Sequence, residues 1–547
     1  MTDRIDRVVF WPVLGIVVVA MTFFAVNNVP DPNVTWDEAG QFWMSQGSGY
    51  GTAWGEPDQG LIAGLEYGRA GNILDPIGFT SILAGWVALF GPEPVALRLL
   101  PFLFFLGSLA ASFALGRSIM RLPRTLSLIL PLAVLTSYVT SQWATEIRNY
   151  SMELLGLLLG VIAMIRYLQR PTWIRLLGLI GILALFSVGS RYSYAIAAAA
   201  VMITVLVIVW RSGELARFWT QIAAGLVVMV LTASFLVWNV GLFRGERVWA
   251  TYVDNTIRVE SITDLTSIRM LLQINFIYGW HKLTALFLVL GFVAWWLMRR
   301  GAKSGSAIGL ALSGSRSIWL PAWFFVGLYE VLRALASQAG GPQWNAEHKH
   351  GVALIGIAII SGFGSVVIVK AIGEGWCRSR YGESRWPVVQ VGIGQVALWS
   401  TLAGLTWMSV SHFIDYRRDK IETLAETVPT IVASSVAGED VVRWRVETQL
   451  YPSLRYLVFK SGVNLGNLEI ADAQPFSTYG HDLDKFLLAM READLCVSGV
   501  TTAVLAAGSA EENAGVFEDY RVDAEAAGCS TEVVPLSNVE SLVLVRG

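Results

Sequence analysis

The sequence predicts a polytopic α-helical membrane protein of about eleven spans, followed by a small C-terminal α/β domain. Three observations carry that prediction. Of 547 residues, 54% are hydrophobic and only 15% charged, and mean hydropathy is +0.54; soluble domains are nearer 45–50% apolar and about 25% charged. Apolar runs long enough to cross a bilayer recur along most of the chain. The charge is split: residues 416–547 hold 11 Lys/Arg against 20 Asp/Glu, and the first 415 hold 29 against 22. An apolar, mildly basic body (1–415) thus precedes an acidic, water-soluble tail (416–547). A cytosolic enzyme, a coiled coil and a disordered scaffold are excluded. The 22 Trp suit positions between lipid and headgroup.

A spanning helix needs about 20 apolar residues. Candidates lie near 8–28, 94–119, 125–144, 147–168, 173–188, 190–210, 218–240, 281–298, 317–338, 349–370 and 388–412. The first follows Arg4 and Arg7 and has no clean small-residue cleavage site after it, so it reads as a retained span rather than a signal peptide. The stretch 75–91 (DPIGFTSILAGWVALFG) is ambiguous by hydropathy alone. If it lies along the outer surface, the clusters at Arg117–Arg124, Arg166–Arg175, Arg211/Arg217, Arg299–Lys303 and Lys370–Arg385 all fall inside with the N-terminus. If it spans, the Arg117–Arg124 cluster and every later one change side. The positive-inside rule selects the first arrangement. The acidic tail is then outside, and the expected location is the plasma membrane of a bacterium.

Within the tail, strand-like runs at 430–435, 468–471, 495–499, 531–536 and 541–545 alternate with helical patterns at 446–460, 482–493 and 516–528. A largely parallel layered sheet is expected. Three cysteines cannot form a disulfide scaffold; Cys496 and Cys529 either pair or stay as buried free thiols. Neither a phosphate-binding Gly-rich loop nor a metal-spaced His/Cys set is present in the tail, and no catalytic role is assigned to it.

Chemistry is expected at the outer face. Its first loop, about 29–93, holds seven carboxylates between residues 29 and 75 (Asp31, Asp37, Glu38, Glu56, Asp58, Glu66, Asp75) against one base, Arg69. Asp37 and Glu38 adjoin an aromatic-rich helical pattern just after the first span, where a carboxylate suits deprotonation of an acceptor hydroxyl. The alternative reading is local. Thr35-Trp36-Asp37-Glu38 fits a capping box, which makes Glu38 a helix cap and favours Asp37 electrostatically in a first turn.

Cations mark the other outer turns: Glu146, Arg148 and Tyr150; Arg191, Tyr192 and Tyr194; His281 and Lys282; Glu347, His348, Lys349 and His350. Outer turns normally avoid Lys and Arg. Arg offers a bidentate fork to phosphate oxygens and Lys a point charge, although salt-bridged or snorkelling residues at helix ends read the same way. The three His have no recognised metal spacing, so no metal site is assigned, and assistance by a divalent cation stays open.

In TWDEAGQFW, LDPIGFTSILAGWVALFG, ALRLLPFL and EIRNYSMELL, taken in that order, the chain resembles the GT-C glycosyltransferases of the protein O-mannosyltransferase and lipid A aminoarabinose transferase type, over roughly residues 8–412. The resemblance implies a GT-C membrane domain with interfacial helices in the first outer loop. It implies inverting transfer of a sugar from a polyprenyl-phosphate donor to a lipid, glycan or protein acceptor, with no nucleic-acid partner. It makes Asp37 the catalytic base and Glu38 its neighbour, and places Arg148 and Tyr150 at the substrate. Two positions depart from the family. Asp75 stands where many members have Lys or His, and Glu347-His348-Lys349-His350 where many have an Arg-Tyr pair. Both bear on the sugar phosphate. Competing readings are another lipid-linked glycan polymerase or ligase, a multi-pass transporter, and a membrane-anchored binding protein acting through its tail. Charges at the bilayer midplane would mark the transporter; charges at one mouth would mark the enzyme.

Overall fold

The computed structural model describes residues 2–46 apart from 33, then 77–119, 124–135, 143–242 apart from 191, and a few single positions between 328 and 414. In the tail it describes 441–446, 451–461, 467–470, 500–507, 514–535 and 540–546. The expected spans at 281–298, 317–338, 349–370 and 388–412 lie almost wholly outside the described residues, as do the expected strands at 430–435 and 495–499 and the helix at 482–493.

The membrane body opens with α1 (Thr2–Asn28), and the first loop follows with α2 (Trp36–Ser45) and α3 (Ile77–Phe90). Then come α4 (Pro94–Ala114), a π-helical turn (Leu115–Ile119), and two short helices, α5 (Arg124–Ser127) and α6 (Ile129–Leu135). Four long helices complete the described body: α7 (Tyr150–Gln169), α8 (Trp173–Gly189), α9 (Tyr192–Arg211) and α10 (Leu215–Leu242). Among the described residues five helices are long and apolar enough to cross a membrane, within α1, α4 with its π turn, α7, α9 and α10. The protein is therefore a multi-pass membrane protein. Val19, Val26, Ile174, Leu177 and Leu231 are each more than half exposed. Large apolar side chains are stable on such a surface only when lipid covers them.

Among the described residues two apolar helices, α3 and α8, are shorter than a span, so the span expected at 173–188 is a 17-residue helix. The 14 residues of α3 rise about 21 Å, against a hydrocarbon core of about 30 Å. The expected single helix at 125–144 is broken. Pro131 cannot donate to the Ser127 carbonyl, and its ring would clash there, so α5 ends at Ser127 and α6 begins anew. Gly78 on α3 lies against Gly189 at the end of α8. A Cβ at Gly78 would sit 2.2 Å from Gly189 Cα and 2.8 Å from the Val188 carbonyl oxygen. Only glycine allows that approach, and it seats α3 across the end of α8.

The tail contains a five-stranded sheet of order β2-β1-β3-β5-β4, built from β1 (Val441–Val446), β2 (Asn467–Ile470), β3 (Val500–Ala507), β4 (Ser530–Pro535) and β5 (Glu540–Arg546). It also carries α11 (Tyr451–Ser461) and α12 (Ala514–Ala526). The expected largely parallel sheet is mixed instead. β1 pairs in parallel with β2 and β3, whereas β5 pairs antiparallel with β3 and β4. Four residues separate β4 from β5, enough for a hairpin and too few for a parallel crossover. The helix expected at 446–460 starts at Tyr451, with Pro452 in its first turn, where a missing N–H costs nothing. Residues 441–446, not anticipated as a strand, form β1. Cys529 is buried and disulfide-bonded, and its partner lies outside the described residues, as does Cys496.

Candidate active site

The site is assembled at one end of the helices from α2, the start of α4 and the turns before α7 and α9. Thr35 caps α2 in extended conformation. Glu38, three residues on, accepts a bond from the Thr35 amide at 3.0 Å and from its hydroxyl at 3.2 Å, closing the capping box. Glu38 does more than cap. It is fully buried and forms an ion pair at 3.4 Å with Arg98, which is also fully buried. Its other oxygen accepts from the Ile147 amide at 3.1 Å, and Arg98 also donates to the Asp31 carbonyl. One carboxylate thus ties together the loop after α1, the first turn of α4 and the turn before α7. A charge pair this deeply buried holds only because nearly every lone pair and proton is used.

Asp37 occupies the second position of α2, beside Glu38 in the chain and at the positive end of the helix dipole. The turn that Glu38 holds carries Glu146 and Arg148, which are 9% and 6% exposed, and Tyr150 opens α7. Arg148 lies over the Tyr150 ring at 5.4 Å, and Tyr150 stacks on Trp143 at 5.2 Å. Asn149 donates to the Ser190 carbonyl at 2.7 Å, drawing in the turn before Tyr192. Gln41 of α2 donates to Thr80 of α3 at 2.9 Å. The structure therefore gathers the Asp37–Glu38 segment, the Glu146–Tyr150 turn and the end of α8. Tyr192 opens α9 next to them. Asp75, Arg191, His348 and Lys349 lie outside the described residues.

Several buried polar atoms here have no protein partner among the described residues: Trp143 Nε1, Thr145 Oγ1, Asn149 Oδ1 and Ser187 Oγ. Buried polar groups normally find partners, so such a cluster points to a polar ligand or water. Among the described residues no three His, Cys, Asp or Glu side chains cluster as metal ligands.

Sequence reasoning missed Arg98, Asn149 and Gln41 as site residues. Arg98 did carry a signal, as a lone charge in the first turn of an apolar span. It also missed the tail's part in the site. The side of α2 that bears Phe42 and Trp43 is covered by α11. Tyr456 is fully buried, donates to the Pro92 carbonyl at 2.7 Å and packs edge-on against Phe42 at 5.1 Å. Phe459 packs on Trp43 at 5.7 Å, Arg455 lies over the same indole at 4.2 Å, and Lys460 pairs with Glu93. Burial pushes the Tyr456 phenol above its usual pKa; Arg98 opposes the shift and Glu38 adds to it.

No protein-family model and no curated protein matches the chain. Among solved structures it is similar to ArnT from Cupriavidus metallidurans in the apo state, with TM-score 0.50 and 14% identity over 98% of this chain and 97% of that one. It is equally similar to ArnT from Cupriavidus metallidurans bound to undecaprenyl phosphate, with TM-score 0.50 and 14% identity over 98% of each chain. The likeness shows the fold alone: the chain is a polytopic membrane protein folded like those ArnT structures.

Proposed function

We propose that the protein is a membrane glycosyltransferase. It moves a sugar from a polyprenyl-phosphate donor to an acceptor at the extracytoplasmic face, with inversion and with Asp37 as base. The observation that carries this reading is the Glu38 knot. It fixes the helix bearing Asp37 against the turn bearing Arg148 and Tyr150, so a base and a phosphate-binding cation share one mouth. Beside them lie buried polar atoms suited to a sugar. The similar ArnT structure that holds undecaprenyl phosphate supports the donor class. Its position outside is supported by the Cys529 disulfide, since such bonds persist in oxidising compartments.

In a single displacement the acceptor oxygen attacks the anomeric carbon and the bond from that carbon to the phosphate oxygen breaks. The phosphate leaves with the electron pair, and Asp37 takes the acceptor proton. Arg148 stabilises charge as it develops on the phosphate. A helix N-terminus favours negative charge, which suits a carboxylate acting as base. Against a transporter, the buried charges among the described residues, Glu38, Arg98, Glu146, Arg148 and Glu153, sit in the first turn of a helix or in the turn before one.

Lipid and envelope-glycan mass spectrometry of cells lacking the protein should reveal the accumulated donor and the missing product. With that donor, Asp37→Asn should cut turnover by about 10²–10⁴ and leave binding of undecaprenyl phosphate near wild type. Near-normal turnover by Asp37→Asn would remove Asp37 from the mechanism.

A further inference from the structure

The candidate site gathers at one end of α7–α10, and the opposite end carries a second concentration of charge. Arg166 lies in the last turn of α7 and Arg170 caps it, Arg175 lies in the first turn of α8, Arg211 closes α9 and Arg217 lies in the first turn of α10. Against these five, Glu214 is the one acid in the chain between Arg166 and Thr220. Arg175 is engaged within the fold: its guanidinium donates to the Arg166 carbonyl at 2.7 Å and to the Arg170 carbonyl at 3.4 Å. These are carbonyls that the end of α7 leaves open. The other four are exposed, and none forms an ion pair among the described residues; Arg217 lies over the neighbouring Phe218 ring at 5.2 Å.

The fold holds the two turns that carry these cations side by side. Tyr167 of α7 donates to Gln221 of α10 at 2.9 Å, and both residues are buried. Arg170 lies about one turn beyond Tyr167, and Arg217 one turn beyond Gln221, roughly 5–6 Å at 1.5 Å per residue. The two arginines therefore stand at similar depth. Arg211 is joined to Arg217 by a tight turn, in which the Glu214 amide donates to the Val209 carbonyl at 3.3 Å and the Arg217 amide to the Glu214 carbonyl at 3.0 Å. Three indoles mark the level: Trp173, Trp210 and Trp219 are 49%, 63% and 56% exposed. Exposed tryptophans on a membrane protein sit at headgroup depth. The arginines beside them thus face lipid phosphates rather than bulk water. An excess of cations on one side of a membrane protein accounts for their sign. It does not account for four cations without a counter-ion, held level in a ring of tryptophans.

We infer that this end of α7–α10 is a docking surface for the headgroup of an anionic phospholipid, held by Arg166, Arg170, Arg211 and Arg217. It lies at the far end of the helices from the candidate site and does not depend on the transfer reaction.

The test uses native mass spectrometry of the purified full-length chain, titrated with phosphatidylglycerol and with phosphatidylcholine. A basic side chain beside an anionic headgroup contributes about fivefold in affinity. Phosphatidylglycerol should therefore bind at least about tenfold more tightly than phosphatidylcholine, and the margin should shrink as salt rises. Arg170→Gln/Arg217→Gln, which alters only exposed side chains, should remove most of that preference. Arg4→Gln/Arg7→Gln, which takes the same charge from the start of α1, should keep it. A second arm needs no variant: phosphatidylglycerol with a photoreactive headgroup should label the unaltered protein on the peptides around 166–175 and 210–219. Equal binding of the two lipids, an unchanged preference in Arg170→Gln/Arg217→Gln, or labelling elsewhere would overturn the inference. Equal losses in the two double variants would also overturn it, by reducing the effect to net charge. Equal retention of inorganic phosphate would do so too, by assigning the arginines to a soluble anion.

Discussion

Glu38 is the residue on which the candidate site turns. As a helix cap alone it would tolerate glutamine, which also reaches back to the N-cap amide. Paired with Arg98 in full burial it should not. Glu38→Gln leaves a guanidinium charge without its counter-ion, and breaking such a pair typically costs about 3–5 kcal/mol. Thermal unfolding of the purified variant should show that loss, and Glu38→Gln/Arg98→Met should be less damaged than Glu38→Gln. If Glu38→Gln unfolds like the parent, the ion pair contributes nothing and only the cap remains. Activity in Glu38→Gln should therefore fall with stability. In Asp37→Asn the fold should persist while turnover falls, and this contrast separates the two adjacent carboxylates.

At the scale of elements, the contacts that matter are close approaches and breaks. Gly78→Ala forces a methyl into the backbone of α8, so α3 must lift. Overpacking of this kind costs about 1–3 kcal/mol, and it should lower the melting temperature and loosen Gln41 from Thr80; an unchanged melting temperature would mean that the two backbones separate freely. The clasp of α11 on α2 is tested by Tyr456→Phe, which removes the bond to the Pro92 carbonyl. At about 1 kcal/mol this should speed amide exchange in α2 roughly fivefold, and unchanged exchange would show the clasp to be passive. Elements governed by near neighbours were legible in the sequence. The Thr35–Glu38 box needs four residues, and long apolar runs announce α1, α4, α7, α9 and α10. What was not legible depends on partners far along the chain. Glu38 meets Arg98 sixty residues away and Ile147 more than a hundred away. β1 runs Val-Val-Arg-Trp-Arg-Val, and it reads as a strand only once β2 and β3 flank it. Pro131 was visible, but within an apolar run its break in the helix was easily passed over.

Across the whole molecule, the distribution of charge predicts the topology. An impermeant thiol reagent applied to intact cells should label a cysteine introduced at Gly547 and not one at Arg121. The reverse pattern would invert the arrangement and place the tail inside. Of the turns read from the sequence, the one at Glu146–Tyr150 and the one before Tyr192 come together beside α2, and those at 281–282 and 347–350 lie outside the described residues; that the tail's α11 packs on α2 was not legible, because nothing near Tyr451 in the sequence names its partner. That contact also has a consequence in time. Tyr456 and the Pro92 carbonyl are 364 residues apart in the chain. At about 5–20 residues per second, roughly 20–70 s of synthesis separate them. Through that interval Phe42 and Trp43 wait at the membrane surface without their cover, so the nascent protein depends on lipid or a chaperone to shield them until its last domain emerges. A chain stopped before residue 451 would keep that aromatic patch bare for good, and quality-control proteases recognise such surfaces.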